Sequence, residues 1–223
     1  MKPQDRILDA ATAVFRRQGF RRSSIEQAAE AAGLTRQALY HHFKSKEALF
    51  RAVIERVYEA AFAAETAAVE ATEKAGGSLS DIIMAGVGGR LTHLITSFDG
   101  SPHLDELFSE HLLQARDLYQ KFAALYSAQT VTTIERVCRR QGLALRGGMT
   151  ARELARCVAM AVHGAKSLHP GMQPLAAFLT DLETMVRTLV AGAVASSRKP
   201  KSKPRRTKQA SPKKSASKPG DRR

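Results

Sequence analysis

Cysteine is scarce in this sequence. Among 223 residues only Cys138 and Cys157 carry a thiol, and each lies where apolar residues recur at helical spacing. A small secreted fold held by several disulfides needs a denser set of cysteines. We therefore expect free thiols and a reducing, cytoplasmic location.

Long apolar runs are missing as well. No run approaches the roughly 20 residues that a helix needs to cross a bilayer. The first residues, MKPQDRILDAATAVF, alternate charged with apolar side chains, which is not the pattern of a signal peptide. With 43% hydrophobic residues, the chain can still bury a substantial core. We expect one or two compact domains and no membrane partner.

Patterns typical of metal binding and catalysis are also lacking. There is no HExxH, CxxC or EF-hand motif. His41 and His42 lie about 100° apart around a helix, so they cannot converge on one ion. Gly86, Gly88 and Gly89 resemble a phosphate loop, but no strand precedes them and no Gly-Lys-Ser follows. We interpret them as glycines that loosen or thin a helix beside a cavity, and we predict no metal, no cofactor and no enzymatic activity.

Positive charge, by contrast, is abundant and unevenly distributed. The formal net charge is +14. Residues 1–50 hold nine Lys/Arg and five acidic residues, and residues 196–223 hold twelve Lys/Arg and one acidic residue. The region between them is nearly neutral. Two basic ends on a neutral body favour nucleic acid as the partner.

Helical periodicity of apolar residues extends over most of the chain, and no segment alternates with period two. Beyond a fourth helix that starts near Ser45, Gly- and Pro-rich breaks delimit predicted helices over 79–98, 103–109, 111–141, 150–168 and 173–195. The apolar residues disappear after Ser196, which predicts a disordered tail. The sequence therefore predicts an all-α fold of about nine helices. Its parts are a three-helix DNA-binding domain in 1–48, a helical ligand-sensing and dimerisation domain in 49–195, and a basic tail in 196–223.

Turn and capping residues place two short helices within the first 50 residues. Gly19 is a candidate left-handed cap for the first helix. Ser24 and Gln27 form a capping-box pattern at the start of the second helix, and Thr35 can cap the third. Two short helices joined by a glycine turn have the layout of a helix-turn-helix, whose second helix enters the DNA major groove.

The outward face of this third helix offers hydrogen-bonding groups. With Leu39 and Phe43 turned inward, the segment from Thr35 to Lys44 presents no carboxylate. Arg36 can bond guanine, Gln37 can bond adenine, and the methyl of Ala38 can rest against thymine. Phosphate contacts, which set register without reading sequence, are predicted for Tyr40, His42, Lys44 and Lys46. The full set of predicted DNA-contacting residues is Ser24, Thr35, Arg36, Gln37, Ala38, Tyr40, His41, His42, Lys44 and Lys46.

These residues occur in the segments ILDAATAVFRRQGF and SSIEQAAEAAGLTRQALYHHFKSKEALF, which resemble the TetR (tetracycline-repressor) family of bacterial transcription regulators. The resemblance covers about 50 contiguous residues. It includes the Gly19-Phe20 turn, the Ala29-x-x-Ala32-Gly33-Leu34 elbow and the Tyr40-x-His42-Phe43-x-x-Lys46 pattern. Ser23-Ser24 stand where the family usually has two threonines, and Glu26 stands where many members carry a basic residue.

The resemblance implies a homodimer that releases DNA when a small molecule binds among the middle helices, next to the fourth. The apolar faces of the last two helices independently favour dimerisation. The predicted interface residues are Leu154, Val158, Val162, Phe178, Leu182, Met185 and Leu189. The candidate effector-pocket residues are Phe62, Met84, His93, Phe98, Phe108, His111, Leu112, Tyr119, Met160 and His163.

The sequence thus predicts a sequence-specific transcriptional regulator, a repressor by preference, that binds palindromic double-stranded DNA with half-sites roughly 34 Å apart. The sequence does not decide between repression and activation, since an activator would make the same DNA contacts. The alternative class is an architectural protein of the bacterial nucleoid, dominated by its basic tail, which could neutralise several phosphates without sequence preference.

Overall fold

The computed structural model describes residues 3–195. The predicted disordered tail, residues 196–223, lies outside the described residues. Within 3–195 the chain forms nine α-helices, which confirms the predicted all-α fold. They are α1 (Pro3–Arg22), α2 (Ile25–Ala31), α3 (Arg36–His42), α4 (Lys46–Lys74), α5 (Leu79–Thr96), α6 (Leu104–Gln114), α7 (Arg116–Gln141), α8 (Ala151–Leu168) and α9 (Leu175–Ala193).

Two details of the secondary structure differ from the sequence prediction. The break between α6 and α7 lies at Ala115, with φ −138° and ψ 32°, and not near residue 110. No glycine or proline marks that break, so the sequence offers no signal for it. The chain also forms one short antiparallel pair, β1 (Ala144–Leu145) with β2 (Val194–Ala195). Two-residue strands are too short to show an alternating pattern.

The N-terminal helices pack around three aromatic rings. Phe15 lies edge-on against Phe50 with ring centroids 5.1 Å apart, and Phe20 lies 4.8 Å from Phe50. Burying each such ring contributes about 1.5–3 kcal/mol. Phe50 belongs to α4, and the same apolar cluster continues to Leu107 and Phe122. The proposed domain boundary at 48/49 therefore falls inside a continuous helix.

Two glycines let α4 and α5 approach closely. A Cβ on Gly86 would lie 2.7 Å from Cγ2 of Val69, and one on Gly89 would lie 3.2 Å from Cβ of Ala68. A Cβ on Gly88, by contrast, would have nothing within 4 Å of it. The glycines at 86 and 89 therefore tighten the packing of α5 on α4, which corrects the interpretation that they loosen the helix.

Gly19 interrupts the helical geometry of α1. Its φ is 75° and its ψ is 173°, so the positive φ is present but the conformation is extended and not a left-handed helical cap. A Cβ at this position would lie 2.7 Å from a carboxylate oxygen of Glu106. The positive φ therefore favours glycine here, and any larger residue would also displace the carboxylate of Glu106.

Candidate DNA-binding surface and effector cavity

Helix α3, the predicted DNA-reading helix, has the predicted division between its two faces. Leu39 is fully buried, Phe43 is buried just beyond the last turn, and both belong to the first hydrophobic core. Arg36, Gln37 and His41 are exposed to solvent. Apolar residues thus fix the helix to the domain, and polar side chains are left free on the outer face.

The predicted caps are present, and they hold the two short helices in place. The Ser24 hydroxyl accepts a hydrogen bond from the Gln27 backbone N–H at 3.2 Å, and the Gln27 side chain accepts one from the Ser24 N–H at 2.9 Å. The Thr35 hydroxyl accepts from the Ala38 N–H at 3.2 Å. Each hydroxyl acts here as an acceptor, so its own hydrogen can be donated to a phosphate. Ala38 itself is half-buried.

Arg36 of α3 forms an ion pair with a carboxylate of α2. Its Nε lies 2.8 Å from an oxygen of Glu26, and its guanidinium lies 5.4 Å from the ring centroid of Tyr40. The hydrogen bond to Tyr40 and the charge of Glu26 both raise the pKa of the guanidinium. The carboxylate of Glu26 therefore competes with DNA for the Arg36 guanidinium.

Lys46 has an intramolecular role that the sequence does not indicate. Its Nζ donates to the backbone carbonyls of Phe20, Ser23 and Arg21, at 2.9, 3.0 and 3.4 Å. The ammonium also lies 4.5 Å from the ring centroid of Phe20. A cation at the carboxyl end of a helix is favourable for the helix dipole. Lys46 thus fastens the end of α1 to the start of α4, and its predicted phosphate contact stays a prediction.

The other predicted DNA contacts surround the carboxyl end of α3. Tyr40 is half-buried and packs against the first core, whereas His42 and Lys44 are exposed. Lys44 Nζ reaches back to the Tyr40 carbonyl at 3.4 Å. Lys44 and His42 are therefore accessible to a phosphate. The position of Tyr40 is fixed by the packing of its ring against the first core.

A cavity of about 370 Å³ lies among α4, α5, α6, α7 and α8. Most of its wall is aliphatic or aromatic. Six of the candidate effector residues line it, namely Phe98, Phe108, His111, Leu112, Tyr119 and His163.

Four candidates do not line this cavity. Phe62 packs on Tyr126 from outside it, Met84 packs against the second hydrophobic core, and Met160 is 54% exposed on α8. His93 is half-buried on α5 and is absent from the cavity wall. Helical spacing alone does not tell these positions from cavity-facing ones.

The sequence prediction missed the charged residues of the cavity. Arg90 lies in the wall, and its Nη1 is 2.9 Å from a carboxylate oxygen of the buried Glu65. Its guanidinium also lies 4.3 Å from the ring centroid of Tyr126. Lys166 of α8 lines the same cavity. A signal was available, since Glu65 and Arg90 interrupt otherwise apolar helix faces and buried charges need partners.

His111 and Tyr58 form a neutral pair in the cavity wall. Burial lowers the pKa of His111 to about 4, against a smaller opposing effect of the Phe108 carbonyl, so the imidazole is neutral at pH 7. Burial also raises the pKa of the Tyr58 hydroxyl. The hydroxyl therefore stays protonated and donates to Nε2 of His111.

The helix that carries His111 also contacts the end of α1. On its other side, Glu106 accepts a hydrogen bond from the Arg21 backbone N–H at 2.7 Å, and Glu110 accepts one from Arg21 Nε at 2.9 Å. Glu110 is buried. The helix α6 thus joins the cavity to the end of α1, next to the carbonyls that Lys46 binds.

Burial within the chain corrects part of the predicted dimer interface. Five of the seven predicted residues pack inside the second core, where α8 and α9 meet each other and α5: Leu154, Val158, Val162, Phe178 and Leu182. Side chains already buried in one subunit cannot supply the contact surface of a second. Met185 and Leu189 are partly exposed.

Within the described part of the chain there is neither a candidate metal site nor a candidate membrane-spanning helix. Across 3–195 no group of three or more His, Cys, Asp and Glu side chains could hold a metal ion. None of the helices described is long and apolar enough to cross a membrane. Cys138 and Cys157 are both free thiols.

Residues 7–53 match the family model of bacterial regulatory proteins, tetR family. The HTH-type transcriptional regulator UidR of Escherichia coli strain K12 is 41% identical over 58 residues, which cover 26% of this chain and 30% of that protein. The HTH-type transcriptional repressor NicS of Pseudomonas putida is 40% identical over 57 residues, covering 26% and 27%. The match spans less than a third of either relative.

A solved structure extends the likeness to most of the chain. SmeT, the repressor of the Stenotrophomonas maltophilia multidrug efflux pump SmeDEF, superposes with a TM-score of 0.58 over 87% of this chain and 91% of that one, at 22% identity. At this identity the likeness shows a shared fold. The N-terminal residues of this chain are thus similar to the tetR family of bacterial regulatory proteins.

Proposed function

We propose that this chain is a DNA-binding transcriptional regulator, a homodimer that represses transcription from a palindromic operator until a small organic molecule binds its cavity. The observation that carries this proposal is the division of α3, in which Leu39 is buried while Arg36 and Gln37 are exposed. Exposed arginine and glutamine on a short, firmly packed helix suit base recognition in the major groove. The proposed site of action is the bacterial cytoplasm.

Repression and dimerisation are supported by different observations. SmeT and NicS are both named repressors, which favours the same sign of regulation here.

The outer surface of α8 and α9 carries small exposed residues such as Gly164 and Gly192, together with Met160 and Leu168, which is 72% exposed. Small residues allow close helix approach, and exposed apolar side chains favour burial in a partner.

The helix α6 provides the proposed coupling between ligand and DNA. Phe108 and His111 face the cavity, whereas Glu106 and Glu110 hold Arg21 of α1. A ligand that displaces α6 therefore shifts the attachment of the DNA-binding domain. The ligand must bind the DNA-incompetent arrangement more tightly, and coupling of about 1–3 kcal/mol is typical of such systems.

The alternative is an architectural DNA-binding protein, favoured by the twelve Lys/Arg of residues 196–223. Deleting those residues separates the two proposals. A regulator should keep its ratio of specific to nonspecific affinity, and the slope of log K against log salt should flatten by about 0.9 for each lost phosphate contact. An architectural protein should lose most of its DNA affinity.

A gel-shift experiment with genomic fragments at rising salt tests the proposed function. The full chain should retain particular fragments after bulk DNA has been released, because base contacts persist when phosphate contacts are screened. Gln37→Ala should lose those fragments while keeping the nonspecific affinity. Lys74→Ala, on an exposed position at the far end of α4, is the matched control and should behave like the wild type. Simultaneous release of all fragments by the wild type would contradict the proposal.

A further inference from the structure

The charges in the cavity wall are of one sign. Arg90 and Lys166 line it, and the described residues of the wall include no Asp or Glu. Glu65 is bound to Arg90 but does not itself line the cavity. Arg90 and Lys166 thus face the cavity with one carboxylate between them, that of Glu65, which pairs with Arg90 from outside the cavity wall.

Lys166 lacks a counter-charge within the described part of the chain. Among the described residues, no carboxylate lies within 4.0 Å of its ammonium, whereas Arg90 pairs with Glu65. Burial lowers the pKa of the Lys166 ammonium, and the nearby charge of Arg90 lowers it further. Lys166 in turn contributes to lowering the pKa of His111. The three groups thus share one electrostatic neighbourhood that favours an anion.

The rest of the wall fits an apolar body. Leu91, Leu94 and Leu107 contribute aliphatic surface, and Phe98 and Tyr119 contribute aromatic surface. Cavities that bind small molecules typically measure about 300–1,000 Å³, so 370 Å³ suits a compact ligand. Apolar surface buried there is removed from water, which stabilises the complex by about 25 cal/mol per Å².

We propose that the cavity binds an amphipathic organic carboxylate, whose head group pairs with Lys166 and Arg90 and whose hydrocarbon or aryl body fills the aromatic and aliphatic wall. A cationic ligand would be repelled by both side chains. A neutral ligand would leave the Lys166 charge desolvated without a partner, which is unfavourable. The inference rests on the proposed function only in taking this cavity as the effector site.

Calorimetric titration of the full chain, without DNA, tests this inference. The probes are octanoate, 1-octanol and octylamine, and 4-phenylbutyrate with its alcohol and amine analogues. In at least one series the carboxylate should bind at least about tenfold more tightly than both analogues, since a charge-assisted pair in a cavity contributes more than a neutral contact. Equal or tighter binding of the alcohol or the amine in both series, or no binding by any probe, overturns the inference.

Substitution of Lys166 locates the head group. Lys166→Met should reduce the preference for carboxylate over alcohol by about tenfold while leaving the alcohol affinity unchanged, and Lys166→Arg should keep the preference. Lys74→Met, at an exposed lysine, is the matched control. A Lys166→Met protein that retains the full preference overturns the inference. Thermal melting shows whether each variant is folded, and Lys166→Arg gives an independent result if the Lys166→Met protein is not.

The same probes distinguish this inference from the proposed function. If the carboxylate binds and also releases operator DNA in a gel shift, both are supported. If it binds in the calorimeter but leaves the DNA complex intact, the chemical inference stands and its regulatory role fails. If sequence-specific DNA binding is present but no carboxylate binds, the inference fails and the DNA-binding proposal is unaffected.

Discussion

Replacing Lys46 by methionine tests whether this lysine fastens the end of α1 to the start of α4. Methionine keeps most of the aliphatic chain beside the Phe20 ring and removes the ammonium that bonds the carbonyls of Phe20, Ser23 and Arg21. The bonds of 2.9 and 3.0 Å have ordinary lengths, and the third, at 3.4 Å, is weak.

The expected loss of stability follows from these bonds. A hydrogen bond to a charged group contributes roughly 1.5–3 kcal/mol net. The lower end applies, because Lys46 is half-buried and water can replace part of each bond. Two such bonds, reduced by rehydration of the carbonyls, give an expected loss of about 2 kcal/mol in the free energy of unfolding.

Urea denaturation followed by circular dichroism measures this loss, at a fixed protein concentration because subunit dissociation would shift the midpoint. Lys44→Met is the matched control, since Lys44 is exposed and makes one long bond of 3.4 Å. It should change stability by less than about 0.5 kcal/mol. A Lys46→Met protein as stable as this control would refute the reasoning. If that variant had nevertheless lost DNA affinity, the lysine would act on phosphate directly.

Three further predictions concern other contacts. Gly86→Ala should destabilise the protein by about 1 kcal/mol, because overpacking against Val69 outweighs the gain in helix propensity, whereas Gly88→Ala, with open space at its Cβ, should be neutral or stabilising in the same urea titration. Because the pKa of His111 is depressed to about 4, its contribution to stability is present above its unfolded pKa of about 6.5 and is lost as the pH falls toward 4. The wild type should therefore lose about 3 kcal/mol more than His111→Gln between pH 7 and 4, and parallel stability-versus-pH curves would contradict this. Glu26→Gln should free Arg36 and tighten DNA binding severalfold in fluorescence anisotropy, with stability changed by less than about 1 kcal/mol because the pair is exposed; unchanged or weaker binding would argue against this competition.

Local signals in the sequence predict much of the structure of the first four helices. The predicted caps at Ser24 and Thr35 are present, and Ser45 caps the helix predicted to start near it, because capping depends on residues within one turn of each other. The buried positions of Leu39 and Phe43 follow from the same short-range periodicity. The break at Ala115 could not be predicted, since it carries none of the glycine or proline that usually marks a helix end.

Contacts between distant residues account for most of what the sequence did not predict. The ammonium of Lys46 reaches carbonyls more than 20 positions earlier, and Arg90 pairs with Glu65 from a different helix. An apolar helix face looks the same whether it is buried inside one chain or between two chains. Helical periodicity therefore could not tell that Phe178 and Leu182 pack within the subunit, and only the remaining exposed surface of α8 and α9 indicates where a partner could bind.

The central claim is that α3 lies in the major groove with Gln37 at a base edge. Selection of binding sites from random duplex DNA, performed in parallel with the wild type and Gln37→Ala, tests it most directly. The wild type should recover a palindromic motif whose half-sites lie about one helical turn, roughly 34 Å, or a multiple of it, apart. In the variant the preference should relax at one base pair of each half-site and remain unchanged elsewhere. Recovery of the same motif by both proteins, or of no motif by the wild type, would contradict the claim.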